Sequence, residues 1–227
     1  MFSRVSTSPA EFPGLLGENC PESGSPIRIS LNEFSYKKGS EIFGEKEPAD
    51  YVYQVLTGTV RSYKLLSDGR RQIGAFHLAG DIFGLEIGTD HRFTAEAVVD
   101  TTVRLMKRRS LELVAESDAM VARNLLSMTT SNLRHAEDHM LLLGRKTSLE
   151  RVAAFLIEMD KRLTATGVLA LPMCRRDIAD YLGLTLETVS RALSRLHGLG
   201  VLGFIGNNQR QIVLLDREKL ASLDLQH

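Results

Sequence analysis

Glu187, Ser190, Arg191, Ser194 and Arg195 recur at i, i+3, i+4, i+7 and i+8. That spacing gathers them on one face of an α-helix. The residue types suit the edges of DNA bases. Arginine bonds guanine O6 and N7 in bidentate fashion, glutamate accepts from cytosine N4, and a serine hydroxyl suits several edges. The same face also reads as solvated surface carrying an i,i+4 Glu187–Arg191 pair. On the opposite side Leu186, Val189, Leu193 and Leu196 recur at three and four and are expected to pack on a core. Thr185 stands where an N-cap belongs, with Leu184 and Val189 as a hydrophobic staple.

These side chains need a frame, and the flanking pattern supplies one. Arg175 to Leu182 reads as a short helix, Gly183-Leu-Thr185 as a tight turn, and Leu186 to about His197 as a second helix. Two short helices joined by a glycine-containing turn make a helix-turn-helix. Val201–Ile205 and Gln211–Leu215 follow as strands around Gly206–Arg210, a β-hairpin with Arg210 at its tip. Asp216–Leu223 reads as a short closing helix.

Upstream, the first 26 residues hold Pro9, Pro13, Pro21 and Pro26 among Ser and Gly, and read as a poorly ordered arm. From Ile27 to about Met106 short β segments alternate with glycine turns. They include Tyr51–Leu56, Val60–Leu65, the hairpin signal Ser67-Asp-Gly69 with its return strand Gln72–Leu78, and a strand pair Phe93–Val98 and Thr102–Met106. This suggests a small barrel or roll. Ser117 to Leu143 reads as a long helix. Its Val121, Leu125, Met128, Asn132, Ala136, His139 and Leu143 form a seam, read either as self-pairing or as packing on its own domain. Gly144 is expected to break this helix and act as a hinge. Thr147-Ser-Leu-Glu150 is a capping box that starts another helix, to about Leu163. The fold class is α+β: a flexible arm over 1–26, a β-roll over 27–115, a dimerisation helix over 116–144, and a winged helix-turn-helix over 145–227.

Composition narrows the classes. The 227 residues are 43% hydrophobic, with 28 basic and 28 acidic side chains, too apolar for a chain dominated by disorder. From Arg145 onward there are 12 basic and 9 acidic residues, a net of +3, against 16 and 19 before it, a net of −3. The sign fits a basic C-terminal module. No apolar run approaches the roughly 20 residues of a membrane span, and no secretory signal is visible, so the expected compartment is the cytoplasm. Cys20 and Cys174 are the two cysteines, which excludes a disulfide framework. The clustered His and carboxylates that an enzyme on a cupin-like roll needs are absent.

From about residue 27 onward the chain resembles the CRP/FNR superfamily of bacterial transcription regulators. The matching residues are Gly80-Asp-Ile-Phe-Gly84, Arg175-Arg-Asp-Ile-Ala179, Tyr181-Leu-Gly-Leu184 and Glu187-Thr-Val-Ser-Arg191. The resemblance implies a cyclic-nucleotide-binding-like β-roll, a long dimerisation helix and a C-terminal winged helix. The E-x-x-S-R pattern is that of the FNR-like branch, which reads TTGAT-type half-sites. Leu186 stands where the CRP branch has a further base-reading arginine. The resemblance implies base contacts from Glu187, Ser190 and Arg191. Phosphate contacts are expected from Arg175, Arg176, Thr185, Thr188, Arg195 and Arg210. The implied partners are palindromic double-stranded DNA, a second copy of the chain and RNA polymerase, with no membrane and no enzymatic activity.

The residues bear on which signal the chain senses. An iron–sulfur cluster needs several thiolates, and Cys20 is alone in the N-terminal half. Gly84-Leu-Glu86 and Arg92-Phe-Thr94 only faintly echo the family's cyclic-AMP cassette. His77 or His91 as a haem ligand, and His135 with His139 as a metal pair, read better as structural residues. No cofactor is expected. This pattern resembles the FixK-type subgroup, activators of micro-oxic, denitrification and nitrogen-fixation genes whose activity often follows their abundance. The alternative is an effector-dependent regulator whose β-roll binds a small molecule. Cys174 falls at the N-cap of the first helix, with Met173 and Ile178 as staple and Asp177 in the capping-box position. A helix N-terminus and the neighbouring Arg175 and Arg176 favour a thiolate. The family places this helix start against phosphates. Oxidation would therefore oppose DNA binding, which makes Cys174 a candidate redox switch; the other reading is an inert thiol.

Overall fold

The computed structural model describes residues 3–5, 32–163, 167–206 and 210–224. The chain forms two compact units, one from residues 1–62 and 79–137, the other from 63–78 and 138–227.

The first unit is the β-roll. Its strands are β1 (Ser3–Val5), β2 (Asn32–Tyr36), β3 (Glu41–Phe43), β4 (Tyr51–Thr57), β5 (Thr59–Leu65), β7 (Ile82–Phe83), β8 (Thr94–Ala97) and β9 (Thr101–Lys107), with β6 (Arg71–Leu78) between β5 and β7 in the chain. One sheet has the order β1-β2-β9-β4-β7. The other has the order β3-β8-β5 and continues along the hairpin into β6. The chain passes from β4 to β5 at Gly58, whose φ is +88°, and a Cβ there would run into the Thr101 hydroxyl and the Asp100 carbonyl. Only glycine turns this corner. Tyr36, Phe43, Tyr53, Val55, Val60, Phe83 and Val103 fill the roll's interior.

The strand-rich reading of this region holds, with one change of pairing. The expected strand pair over 93–106 is not a hairpin. β8 lies in one sheet beside β3, and β9 lies in the other between β2 and β4. The turn of three residues between them is a crossing between sheets. Of the expected N-terminal arm, residues 3–5 are a strand, antiparallel to β2. The remainder, with Cys20, lies outside the described residues.

Helix α1 (Arg108–Ser117) follows β9 directly and has no counterpart in the sequence reading. Asp118 separates it from α2 (Ala119–Arg145), and its carboxylate accepts from the amides of Met120 (2.8 Å) and Val121 (3.3 Å). The expected seam is largely occupied within the chain. Val121 is buried in a cluster with Val52, Met106 and Leu111, and Leu125 and Met128 pack against it. His139 stacks on Tyr181 at 4.2 Å between ring centroids. Instead, α2 exposes Leu126 (68%), Leu133 (59%) and Met140 (65%), seven residues apart. Nor does Gly144 break the helix, which runs to Arg145. The Arg151 guanidinium reaches Leu143 O (2.8 Å), Lys146 O (2.9 Å) and Leu182 O (3.0 Å). It satisfies carbonyls orphaned at two helix ends and ties them together.

The second unit contains the β5–β6 hairpin from Tyr63 onward, the end of α2, and the C-terminal elements. Those are α3 (Ser148–Arg162), β10 (Val168–Ala170), α4 (Arg175–Leu182), α5 (Leu186–Gly198), β11 (Leu202–Ile205), β12 (Gln211–Leu214) and α6 (Arg217–Asp224). The capping box at Thr147 is formed, with its amide 2.8 Å from Glu150 Oε2. The three-stranded sheet has the order β10-β12-β11. Strand β10 is too short to announce itself in the sequence. Val152, Phe155, Leu156, Met159, Ile178, Tyr181, Leu182, Val189, Leu193 and Leu196 are all buried.

Candidate nucleic-acid interface

Helices α4 and α5 meet at Gly183, in the left-handed region at φ 61°, ψ 38°. The Leu184 amide returns to Ala179 O at 2.9 Å and closes the turn. Thr185 caps α5, its hydroxyl accepting from the Thr188 amide at 3.2 Å. Helix α5 buries Val189, Ala192, Leu193 and Leu196. Leu186 departs from the expectation: in the first turn of α5 it is 36% exposed, and Ala192 takes a place in the apolar stripe.

The opposite face carries the polar residues in the expected order. Glu187, Arg191 and Arg195 are exposed and Ser190 is half-buried. The Glu187 carboxyl is held below the ordinary carboxylate range by its own backbone amide, the Thr185 hydroxyl, and the charges of Arg191 and Arg176. An ionised carboxylate only accepts hydrogen bonds, which matches a base-edge amine. Ser190 does not stand alone: Arg175 of α4 donates to its hydroxyl at 3.2 Å. One expected phosphate contact and one expected base contact are therefore built as a pair across the two helices. Arg176 and Thr185 are exposed, and Thr188 is half-buried with its hydroxyl 2.9 Å from that of Thr185. Arg210 is exposed at the entrance to β12, its carbonyl accepting from the Leu171 amide at 3.0 Å. The hairpin tip before it, residues 207–209, lies outside the described residues.

Residues 150–223 match the Crp-like helix-turn-helix domain family, and residues 33–118 match the cyclic nucleotide-binding domain family. The nitrogen fixation regulation protein FixK of Rhizobium meliloti is 42% identical over 83% of this chain and 85% of its own. The protein of the same name from Azorhizobium caulinodans is 44% identical over 83% of this chain and 77% of its own. The solved structure of FixK2 from Bradyrhizobium japonicum superposes with a TM-score of 0.82 at 69% identity, covering 86% of this chain and 97% of that one.

The chain belongs to the CRP/FNR family.

It falls in the FixK-like group of that family, whose members are transcription regulators and not enzymes. The CRP-type helix-turn-helix is its DNA-binding module, and α4 and α5 are its two helices. No helix among the described residues is long and apolar enough to cross a membrane.

Cys174 occupies the N-cap position of α4 and is half-buried. Asp177 Oδ2 accepts both its amide and its thiol, each at 3.1 Å. Met173 and Ile178, the two staple positions, are both buried.

Of the residues that the sequence offers as sensor candidates, Glu86, Arg92 and His91 make the following contacts within the chain. Glu86 accepts from the Arg92 amide (3.2 Å) and guanidinium (3.1 Å), so the two cassette residues engage each other. His91 is 2% exposed and stacks on Phe43 at 3.6 Å, and burial pushes its ring below the ordinary histidine range against the pull of Glu86, Glu47, Asp50 and Asp90. Among the described residues, no group of three or more His, Cys, Asp or Glu is placed to hold a metal ion.

The sequence reading missed Arg71. This β6 residue donates to Asp177 Oδ1 at 2.6 Å and to Asp180 Oδ2 at 2.8 Å. Two acids three apart on a short helix are a visible signal. Their partner lies more than 100 residues earlier, beyond the reach of local pattern.

Proposed function

We propose that this chain is a cytoplasmic FixK-type activator that binds palindromic TTGAT-type DNA as a homodimer and controls micro-oxic, denitrification or nitrogen-fixation genes with RNA polymerase as partner. The observation that carries this reading is the polar face of α5. Glu187 is held ionised, Arg191 is exposed, and Ser190 is engaged by Arg175 before any ligand arrives. Glu187, Ser190 and Arg191 read bases; Arg175, Arg176, Thr185, Thr188, Arg195 and Arg210 contact phosphates. Two recognition helices enter successive major grooves about 34 Å apart. Leu126, Leu133 and Met140 support the dimer, because a heptad of exposed apolar side chains on one long helix suits a facing copy.

The protein works without an iron–sulfur cluster or an added effector. Cys174 adds redox control. Its thiol donates to the Asp177 carboxylate. Two molecules of hydrogen peroxide, each reduced to water, take the thiol to a sulfinate and replace that donor with an anion, which is repelled by Asp177 and by any phosphate near the start of α4.

Fluorescence anisotropy of the reduced, ligand-free protein on a palindromic TTGAT-type duplex tests the reading, with a scrambled duplex at the same salt as control. Discrimination by roughly 10³-fold or more is expected of specific binding. Equal binding to both duplexes rules out ligand-free TTGAT recognition, and discrimination that appears only with an added small molecule establishes the effector-dependent alternative. Peroxide treatment of wild type and Cys174→Ser tests the switch. If both lose binding alike, Cys174 is not the switch.

A further inference from the structure

The hairpin β5–β6 is continuous with the roll, yet from Tyr63 to Leu78 it belongs to the unit that holds α4 and α5. Its contacts there are specific. The Arg71 guanidinium forks between two carboxylates on one face of α4, with Nη2 2.6 Å from Asp177 Oδ1 and 2.7 Å from Asp180 Oδ2, and Nε 2.8 Å from Asp180 Oδ2. Gln72 Nε2 donates to Tyr181 O at 3.3 Å. Phe76 packs on Tyr181 and Phe155, with ring centroids 5.2 and 6.4 Å apart, and its carbonyl accepts from Arg162 at 3.1 Å.

Asp177 is the centre of this arrangement. It is 3% exposed, and it accepts from Arg71 and from the amide and thiol of Cys174. A buried carboxylate needs a countercharge, and removing one partner strands the other. Fork-shaped arginine pairing also fixes geometry, which a point charge does not. Two residues before Asp177 stands Arg175, which holds Ser190 of α5.

We infer that Arg71 is a positioning residue for DNA recognition: by clamping Asp177 and Asp180 it sets the first turn of α4, and through the Arg175–Ser190 bond it sets the reading face of α5. Arg71 itself touches no DNA. This rests on the reading of α4 and α5 as the base-reading pair.

The test uses the full-length protein and compares wild type with Arg71→Ala, Arg71→Lys and Asp180→Asn. Anisotropy is measured on specific and scrambled duplexes over a range of salt, with amide hydrogen exchange on the same samples. Arg71→Ala is expected to lower specific affinity tenfold or more, to leave scrambled-duplex affinity and the salt slope unchanged, and to speed exchange in the first turn of α4. Arg71→Lys keeps the charge but not the fork and should lose several-fold. Asp180→Asn keeps the Asp177 bond and guards against a variant that fails to fold; it should lose several-fold as well. A salt slope reduced by about one, with both duplexes weakened alike, would make Arg71 a phosphate contact and overturn the proposal. So would unchanged specific affinity in all three variants. If wild type itself does not discriminate, the base-reading assignment falls, and this proposal falls with it.

Discussion

Helices α5 and α2 are both amphipathic, and they dispose of their apolar residues differently. Helix α5 has one apolar stripe, Val189, Ala192, Leu193 and Leu196, and all of it is buried within the chain. Apart from Leu186 in the first turn, what remains exposed is mostly polar. Helix α2 has two stripes. One, with Val121, Leu125 and Met128, is spent on the roll. The other, with Leu126, Leu133 and Met140, stays in water. A helix with one covered stripe is complete in its own fold and can spend its free face on a polar ligand. A helix with a second, uncovered stripe has more apolar surface than its own fold uses. The contrast supports the proposal that α5 faces DNA and that α2 faces a second copy of the chain.

The largest effect tests the uncovered stripe. Leu133→Glu should convert dimer to monomer in size-exclusion chromatography with light scattering, and should weaken binding to a palindrome by roughly 10²-fold or more, since the two half-sites no longer act together. A persisting dimer would return α2 to the status of α5, a helix complete in its own fold. The covered stripe is tested by Leu196→Ala, which should cost about 2–5 kcal/mol in denaturant unfolding because the site is fully enclosed. A loss below about 1 kcal/mol would mean that the stripe is not the anchor of α5.

Arg191→Ala should then cost about 1–3 kcal/mol on the specific duplex and relax the preference for one base pair, while scrambled-duplex affinity changes little. A uniform loss on both duplexes would reassign Arg191 to phosphate. Thr185→Ala should destabilise the fold by about 1 kcal/mol in thermal unfolding, the usual worth of a threonine N-cap. The smallest effect concerns pH. Because the Glu187 carboxyl is lowered, its ionised form persists down through the ordinary carboxylate range and is lost only as pH falls through the lowered folded-state value. Wild type and Glu187→Gln should therefore show the same pH dependence of binding between pH 5 and 8. A wild-type profile that rises in this window and flattens in Glu187→Gln would show that the carboxylate titrates there.

Local pattern made the DNA-reading region legible. The bounds of α4, the Gly183 turn, the Thr185 cap and the polar face of α5 all follow from residues within a few turns of one another. Leu186 is an instructive failure. Its spacing fits the apolar stripe, but at the first position of α5 there is no preceding turn against which it is buried. Gly144 failed for a related reason. Its low helix propensity is about 1 kcal/mol, and the Arg151 guanidinium offsets that by capping the carbonyls around it. The crossing from β8 to β9 was hidden because two successive strands read the same whether they pair or lie in facing sheets.

What the sequence by itself determined is what neighbours along the chain decide: the helix-turn-helix, the caps, the hairpin turn at Ser67-Asp-Gly69 and the polar face of α5. Hydrogen-bonding rings and side-chain periodicity close within about eight residues, so the information is local. Only the tertiary structure decided which stripe of α2 is covered, where β8 and β9 pair, and that Arg71 holds Asp177 from 106 residues away. Those outcomes depend on which surfaces meet after the chain has folded. A charge or an apolar side chain carries no mark of the distant partner that it will find.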